Sequence, residues 1–284
     1  MNYPEKHIAL LCNPTPENAK SLRIAESIDL LLTGMDIRHS IFTTHWPQAW
    51  EDISEVWIVG GDGTLHWFIN QYPDMQLPLS IFPGGSGNDF HNMLYGETTT
   101  EQQVEKMLDG KVQLIDAGIC NDRLFLNGVG IGFDGVIVHD LIGKRKTAGK
   151  ASYLLSVLKN IFGYHEKPCT LLLPDETISQ DCFMINVANA RQYGGGFKVA
   201  PRASLTDGLL DVNIIGTISP LKRMRYLPVV EKGEHLDLPF VQYRQVSRIN
   251  ISSAVKLHAH VDGEYLFASN FEIAILPKRF SFLC

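Results

Sequence analysis

The chain has 284 residues, 45% of them hydrophobic, with 25 Lys and Arg against 31 Asp and Glu and a formal net charge of −6 at pH 7. That length supports one large core or two modest ones, with two favoured, and the acidic balance argues against a nucleic-acid binder, whose domain normally carries a basic excess. No run of about 18 apolar residues is present, so no membrane-spanning helix is expected.

In chain order, Ile8 to Leu11 reads as a short buried strand that runs into a turn at Cys12-Asn13-Pro14. From about Glu17 to Leu32, the residues Ala19, Leu22, Ala25, Ile28 and Leu32 recur at helical spacing, and His39 to Thr44 reads as a second strand ending on the hydroxyls of Thr43 and Thr44. The stretch Glu55-Val-Trp-Ile-Val-Gly-Gly-Asp-Gly-Thr-Leu65 organises the rest: Val56 to Val59 form a buried strand, Gly60 ends it, and Leu65 to Ile69 open a helix. Gly60, Gly61 and Gly63 let main chain approach a ligand closely, while the helix start offers N–H groups and a positive dipole end to an anion. Asp62 repels a phosphate; it suits holding Mg²⁺ against phosphate oxygens or positioning an attacking hydroxyl. An ordinary Gly-Asp-Gly turn is the alternative for this loop taken alone.

Leu79 to Phe82 is a further strand, and it runs into Pro83-Gly-Gly-Ser-Gly-Asn-Asp-Phe90, with glycines at Gly84 and Gly85, a hydroxyl at Ser86, an amide at Asn88 and a carboxylate at Asp89. Two parallel strands that end in such loops place them side by side at the carboxyl edge of a sheet, where open α/β folds bind ligands. Thr98 to Leu108 reads as a surface helix stopped at Gly110. A domain boundary is expected near residues 117–122, and beyond it short runs that alternate apolar and polar residues predict antiparallel strands, interrupted by one helix from about Ala151 to Phe162. That helix follows Gly143-Lys-Arg-Lys-Thr-Ala-Gly-Lys150, a dense positive run that is either a solvated loop or a contact for anionic lipid head groups through Lys144, Arg145, Lys146 and Lys150.

Gly130-Ile-Gly-Phe-Asp-Gly135 matches a dinucleotide fingerprint, but no βαβ unit is expected after it. In Leu257-His-Ala-His-Val-Asp-Gly-Glu264, His258, His260 and Asp262 fall on one strand face; zinc or iron ligation is one reading, and histidines tiling an exposed strand is the favoured one. The five cysteines are far apart and odd in number, and they are expected to be reduced. Met1 to His7 lacks the pattern of a signal peptide, so a cytoplasmic location is expected.

Gly60-Gly-Asp-Gly-Thr64, then Pro83 to Phe90, Asn127-Gly-Val-Gly-Ile-Gly-Phe-Asp134, Ala190-Arg-Gln-Tyr-Gly-Gly-Gly196, Thr206-Asp-Gly-Leu-Leu-Asp211 and Val261-Asp-Gly-Glu264 occur in an order that resembles the diacylglycerol kinase catalytic-domain family, which includes bacterial lipid kinases and sphingosine kinases. The resemblance implies a three-layer α/β domain with a parallel sheet over residues 1–118, completed by residues 278–284, and a β-sandwich over residues 119–277, with the nucleotide between them. It implies nucleotide contacts from Asn13, Pro14, Thr43, Gly60, Gly61, Asp62, Gly63, Thr64, Gly84, Gly85, Ser86 and Asn88. Glu264 is the implied general base, with Asp262 and Asp62 supporting metal or hydroxyl. Asp207 with the carbonyls of Ser204 and Leu209 resembles a structural Mg²⁺ site, an ordinary Asp-Gly hairpin turn being the alternative. One departure stands out: family members usually place Asn-Glu where this chain has His66 and Trp67, which removes a carboxylate from the helix start. His66 is expected on that helix's surface.

The expected activity is ATP- and Mg²⁺-dependent phosphoryl transfer to a lipid hydroxyl, by a soluble protein working at the membrane surface without nucleic acid; a homodimer is left open. An NAD kinase-like phosphotransferase and a non-catalytic nucleotide or lipid sensor are the alternatives.

Overall fold

The computed structural model describes residues 6–12, 19–143 and 149–284. The chain divides into two compact units, one running up to Ile115 and taking back Arg279–Cys284, the other Asp116–Lys278.

In the first unit, β1 (His7–Cys12), β2 (Arg38–Phe42), β3 (Glu55–Gly60) and β4 (Leu79–Pro83) pair in parallel in the order β2-β1-β3-β4. Every residue of β3 is buried, the mark of a parallel strand covered on both faces. Helices α1 (Ala19–Gly34), α2 (Asp62–Gln71), α3 (Asp89–Tyr95) and α4 (Thr100–Leu108) supply the cover. On α1, Ser21, Ala25, Ile28 and Leu32 turn inward at steps of four, three and four, one apolar stripe of a helix. Thr99 and Gln102 form a reciprocal capping box at the start of α4. Further along the same helix, buried Gln103 donates to the carbonyl of Ile81 at 2.8 Å and meets His91 Nε2 at 3.0 Å through its oxygen. The chain end is tied into this unit: Phe282 pairs with Leu79, and Lys111 and Cys284 exchange two backbone hydrogen bonds. The strand expected to reach Thr44 stops at Phe42, because past it the chain bends out into solvent at Thr43 and Thr44.

The second unit is antiparallel. Its strands are β5 (Val112–Cys120, which begins in the first unit), β6 (Arg123–Phe125), β7 (Gly128–Gly132), β8 (Lys167–Leu172), β9 (Thr177–Cys182), β10 (Met184–Ala188), β11 (Leu210–Ile215), β12 (Val241–Val246), β13 (Arg248–Val261) and β14 (Glu264–Leu283, whose end returns to the first unit). The order β12-β11-β10-β7-β13-β14 forms the main path, and β8 joins the far half of β13. A bulge between Ser252 and Leu257 bends β13, so its two halves meet different neighbours and the sheet closes on one apolar core containing Ile249, Ile251, Leu257, Ala259 and Val261. This is the sandwich-like arrangement expected.

Three helices, not one, interrupt these strands among the described residues: α5 (Phe133–Leu141), α6 (Gly149–Asn160) and α7 (Pro220–Lys232). α7 carries Pro220 in its first turn and Pro228 inside, and ends on Gly233 at φ 79°; its one fully buried side chain is Arg223, so no apolar stripe announces it.

Candidate functional site

Two glycine-rich corners stand side by side at the carboxyl ends of β3 and β4, strands paired residue for residue from Val56–Leu79 to Gly60–Pro83. They interlock through bare backbone. A Cβ on Gly61 would lie 2.8 Å from Gly85 Cα and from the Gly87 carbonyl oxygen, and one on Gly85 would lie 2.4 Å from Gly61 Cα. Gly84 donates its N–H to the Gly60 carbonyl at 2.9 Å, and a Cβ there would strike Ser21 Oγ at 2.3 Å. Four of the five predicted phosphate-loop glycines, Gly60, Gly61, Gly84 and Gly85, are therefore required by packing within and between the loops; Gly63, exposed at the start of α2, has nothing within 4 Å of its Cβ position.

Asp62 sits in the first turn of α2, and its two carboxylate oxygens accept the N–H groups of Asp89 and Phe90, each at 3.0 Å. It thereby caps α3, satisfying two donors that a helix start leaves open. Asn88 closes the second loop upon itself, accepting from the Gly85 N–H at 3.0 Å and donating to the Gly85 carbonyl at 3.1 Å. Thr64 is buried beneath Gly60, while Ser86 and Thr43 are exposed. Asn13 and Pro14 lie outside the described residues. His66, expected on the helix surface, is 7% exposed, turned into the unit with Asn70 beside it. Trp67 holds the exposed face instead, its ring meeting Trp46 edge-on at 4.8 Å.

The second unit presents the other predicted carboxylates. Asp262 at φ 48° and Gly263 at φ 86° make the two-residue turn of the β13–β14 hairpin, closed by the pair Val261–Glu264. Asp262 turns its carboxylate onto three backbone donors, Leu126 at 2.8 Å, Asn127 at 3.0 Å and Gly128 at 2.8 Å, and gives its own N–H to the Gly128 carbonyl. Glu264 follows, exposed at the first position of β14. Asp262 is thus an anchor, and Glu264 is the carboxylate presented to solvent.

The histidines do not tile an exposed face. His258 and His260 lie on the side of β13 away from the apolar core; His260 is 2% exposed, bonded to Asp134 at 3.0 Å, and His258 meets the Tyr265 hydroxyl at 2.7 Å. With His260 and Asp262 engaged in this way, and no group of three or more His, Cys, Asp or Glu arranged for a metal ion among the described residues, the zinc reading has no support. The dinucleotide-like motif does stand at a strand-to-helix corner, β7 to α5, but its glycines serve packing: a Cβ on Gly130 would strike Asp134 Oδ2 at 2.3 Å and His260 Nε2 at 2.5 Å, and one on Gly135 would enter the backbone of β13.

The Asp207 turn is held by a residue that the motifs did not single out. Asp116, 1% exposed, takes the N–H of Gly208 on one oxygen and that of Lys278 on the other, each at 2.7 Å. Exposed Asp207 accepts the N–H of Leu209 at 3.0 Å, a local Asp-Gly turn with Gly208 at φ 72°. A carboxylate and the backbone oxygens of Ser204 and Leu209 in one short segment are the hard donors that Mg²⁺ takes.

Known proteins agree with this layout. Residues 7–120 match the diacylglycerol kinase catalytic domain, and residues 127–284 match the YegS C-terminal NAD kinase beta sandwich-like domain. A diacylglycerol kinase of Mycobacterium tuberculosis (strain ATCC 25618 / H37Rv) is 27% identical over 80% of this chain and 76% of its own length. The protein named "Probable lipid kinase YegS-like" of Chromohalobacter salexigens is 31% identical over 79% of this chain and 74% of its own. In fold, the chain is similar to a crystal structure of a diacylglycerol kinase from Bacillus anthracis str. Sterne, with a TM-score of 0.78 at 20% identity over 98% and 96% of the two chains. By the motifs, the domain matches and the shared architecture, the chain belongs to the diacylglycerol kinase catalytic-domain family of lipid kinases.

Proposed function

We propose that this chain transfers the γ-phosphate of ATP to the hydroxyl of a lipid, diacylglycerol or a related amphiphilic alcohol, at a membrane surface. The observation that carries the reading is the interlocked pair of loops at the ends of β3 and β4, with Asp62 fastening the start of α3 to the start of α2. The bare glycine corners let main chain approach a phosphate closely, and the start of α2 adds the positive end of its dipole, while the start of α3 is already capped by Asp62. Gly63 and Ser86, the exposed members, are the positions at which the nucleotide has room to approach. A Mg²⁺ bound with the nucleotide would supply charge neutralisation on the phosphates. Glu264 takes the proton of the acceptor hydroxyl, and Asp262 fixes its approach by locking the turn. In this reading Asp207 with the Ser204 and Leu209 carbonyls would hold a structural Mg²⁺.

The membrane part of the proposal rests on α6 and α7. Leu155 and Leu221 are 70% and 75% exposed, and Leu158, Phe162 and Met224 are also open to solvent. Arg223 binds the two segments together, donating to the carbonyls of Ile161 and Tyr164 and to Glu166 at 2.7–2.9 Å. Exposed Lys222 and Arg225 lie among these apolar residues. Lys144, Arg145 and Lys146 lie outside the described residues, and the side chain of Lys150 does too. Among the described residues no helix is long and apolar enough to cross a membrane, so apolar side chains with basic neighbours suit an interfacial contact.

The test supplies ATP labelled at the γ-phosphate, Mg²⁺ and either a mixed lipid extract or NAD. Label in the organic phase supports the lipid kinase. Label on NAD instead supports the NAD kinase alternative, and ATP binding with no transfer to either supports the sensor.

A further inference from the structure

Two stretches singled out in the sequence, Gly130 to Gly135 and His258 to Glu264, converge on one buried chain of hydrogen bonds in the second unit. Asn186 Nδ2 donates to the Tyr193 hydroxyl at 2.5 Å, Tyr193 donates to Asp134 Oδ2 at 2.6 Å, and His260 Nε2 meets the same oxygen at 3.0 Å. At the other side of the imidazole, Nδ1 lies 3.2 Å from the Gly263 N–H. An amide N–H can only donate, so Nδ1 is the acceptor and the ring proton sits on Nε2, pointing at Asp134. Tyr193, Asp134 and His260 are 6%, 2% and 2% exposed, so nothing in bulk water competes for these bonds. The ring of Tyr193 also stands edge-on to His260 at 5.2 Å and 87°. Gly130, opposite His260 in the β7–β13 ladder, leaves the room for the pair.

The chain ends at Gly263, between the anchored Asp262 and the exposed Glu264. We infer that His260, with its tautomer fixed by Asp134 and Tyr193, is a positioning residue for Glu264: it holds the Gly263 peptide and so the direction in which the Glu264 carboxylate leaves the turn. Asp262 fixes the turn on one side through three amides, and His260 fixes it on the other. The inference rests on the reading of Glu264 as the proton acceptor.

A double-mutant cycle in the lipid phosphorylation assay tests it. His260→Gln keeps a donor towards Asp134 but loses the ring acceptor, and it is expected to lower kcat by roughly tenfold or more with KM for ATP unchanged. In a Glu264→Gln background the same change is expected to cost less than about twofold, since the group it positions is gone. His260→Asn, whose side-chain oxygen falls near the place of Nδ1, is expected to recover most of the loss. Where His260→Gln does not fold, Tyr193→Phe, which removes the hydroxyl that donates to Asp134 and accepts from Asn186, carries the same cycle with a smaller loss. Equal losses in both backgrounds, or full kcat in His260→Gln while Glu264→Gln is inactive, overturn the positioning role and leave Glu264 standing. Full kcat in Glu264→Gln overturns the Glu264 reading first, and the inference with it.

Discussion

Gly63 and its neighbours separate two meanings of a glycine. Gly61→Ala and Gly85→Ala push a methyl into backbone at under 3 Å on both sides of the loop pair, so these variants are expected to lose stability and ATP binding together. Gly63 is in α2 with open space around it, so Gly63→Ala should raise the unfolding free energy by up to the ~0.5–1 kcal/mol that alanine gains over glycine in a helix, with a slightly higher melting temperature. Its KM for ATP should rise if a phosphate lies against that position; an unchanged KM removes Gly63 from the nucleotide site. Asp62→Ala frees the Asp89 and Phe90 amides and should destabilise by about 2 kcal/mol in chemical denaturation, in addition to any loss of activity. Both loops were legible in the sequence as glycine corners, because a short apolar run that stops at consecutive glycines marks a strand end. What Asp62 does was not: its partners are 27 and 28 residues away, and only the fold brings them to it.

At the scale of elements, α5 and α7 escaped the periodicity for local reasons. α5 contains Val136-Ile137-Val138, a run that favours strands, and it is helical against β13 because Gly135 lets the two backbones meet. α7 has two prolines and no apolar stripe. The exposed apolar residues of α6 and α7 give a test of their own: Leu155→Glu with Leu221→Glu should abolish sedimentation with anionic vesicles and leave the fold intact, and unchanged vesicle binding would remove these helices from the membrane contact. Buried His235 and half-buried His258 set a pH response. Burial lowers the pKa of His235, which follows α7, and of His258 on β13, where the charge of His139 adds to it. The unfolded chain takes up protons at its ordinary value near 6.5 while the folded chain resists, so this stability is present above about 6.5 and is lost as pH falls towards the lowered folded values. Urea midpoints should fall between pH 7.5 and 5.5, and His235→Gln should flatten that slope.

For the whole molecule, the proposed division of labour rests on two kinds of sheet. Parallel strands end in loops and helix starts at one edge, which suits phosphates; antiparallel hairpins end in tight turns, which suits a fixed carboxylate such as Glu264 on its Asp262-Gly263 turn. The order of the motifs along the chain made the two-unit fold, parallel then antiparallel, readable before any coordinate. The buried chain from Asn186 to Gly263 was not readable, since His260 and Asp134 lie 126 residues apart and neither has a spacing that signals the other. The central claim is lipid phosphorylation with Glu264 as the proton acceptor, and the direct measurement is the rate of label transfer from ATP into a mixed lipid extract by wild type and by Glu264→Gln. Labelled lipid from wild type and a loss of about a hundredfold or more in the variant, with ATP binding retained, is the expected result. Equal rates from the two proteins, or no labelled lipid from wild type that binds ATP, would contradict it.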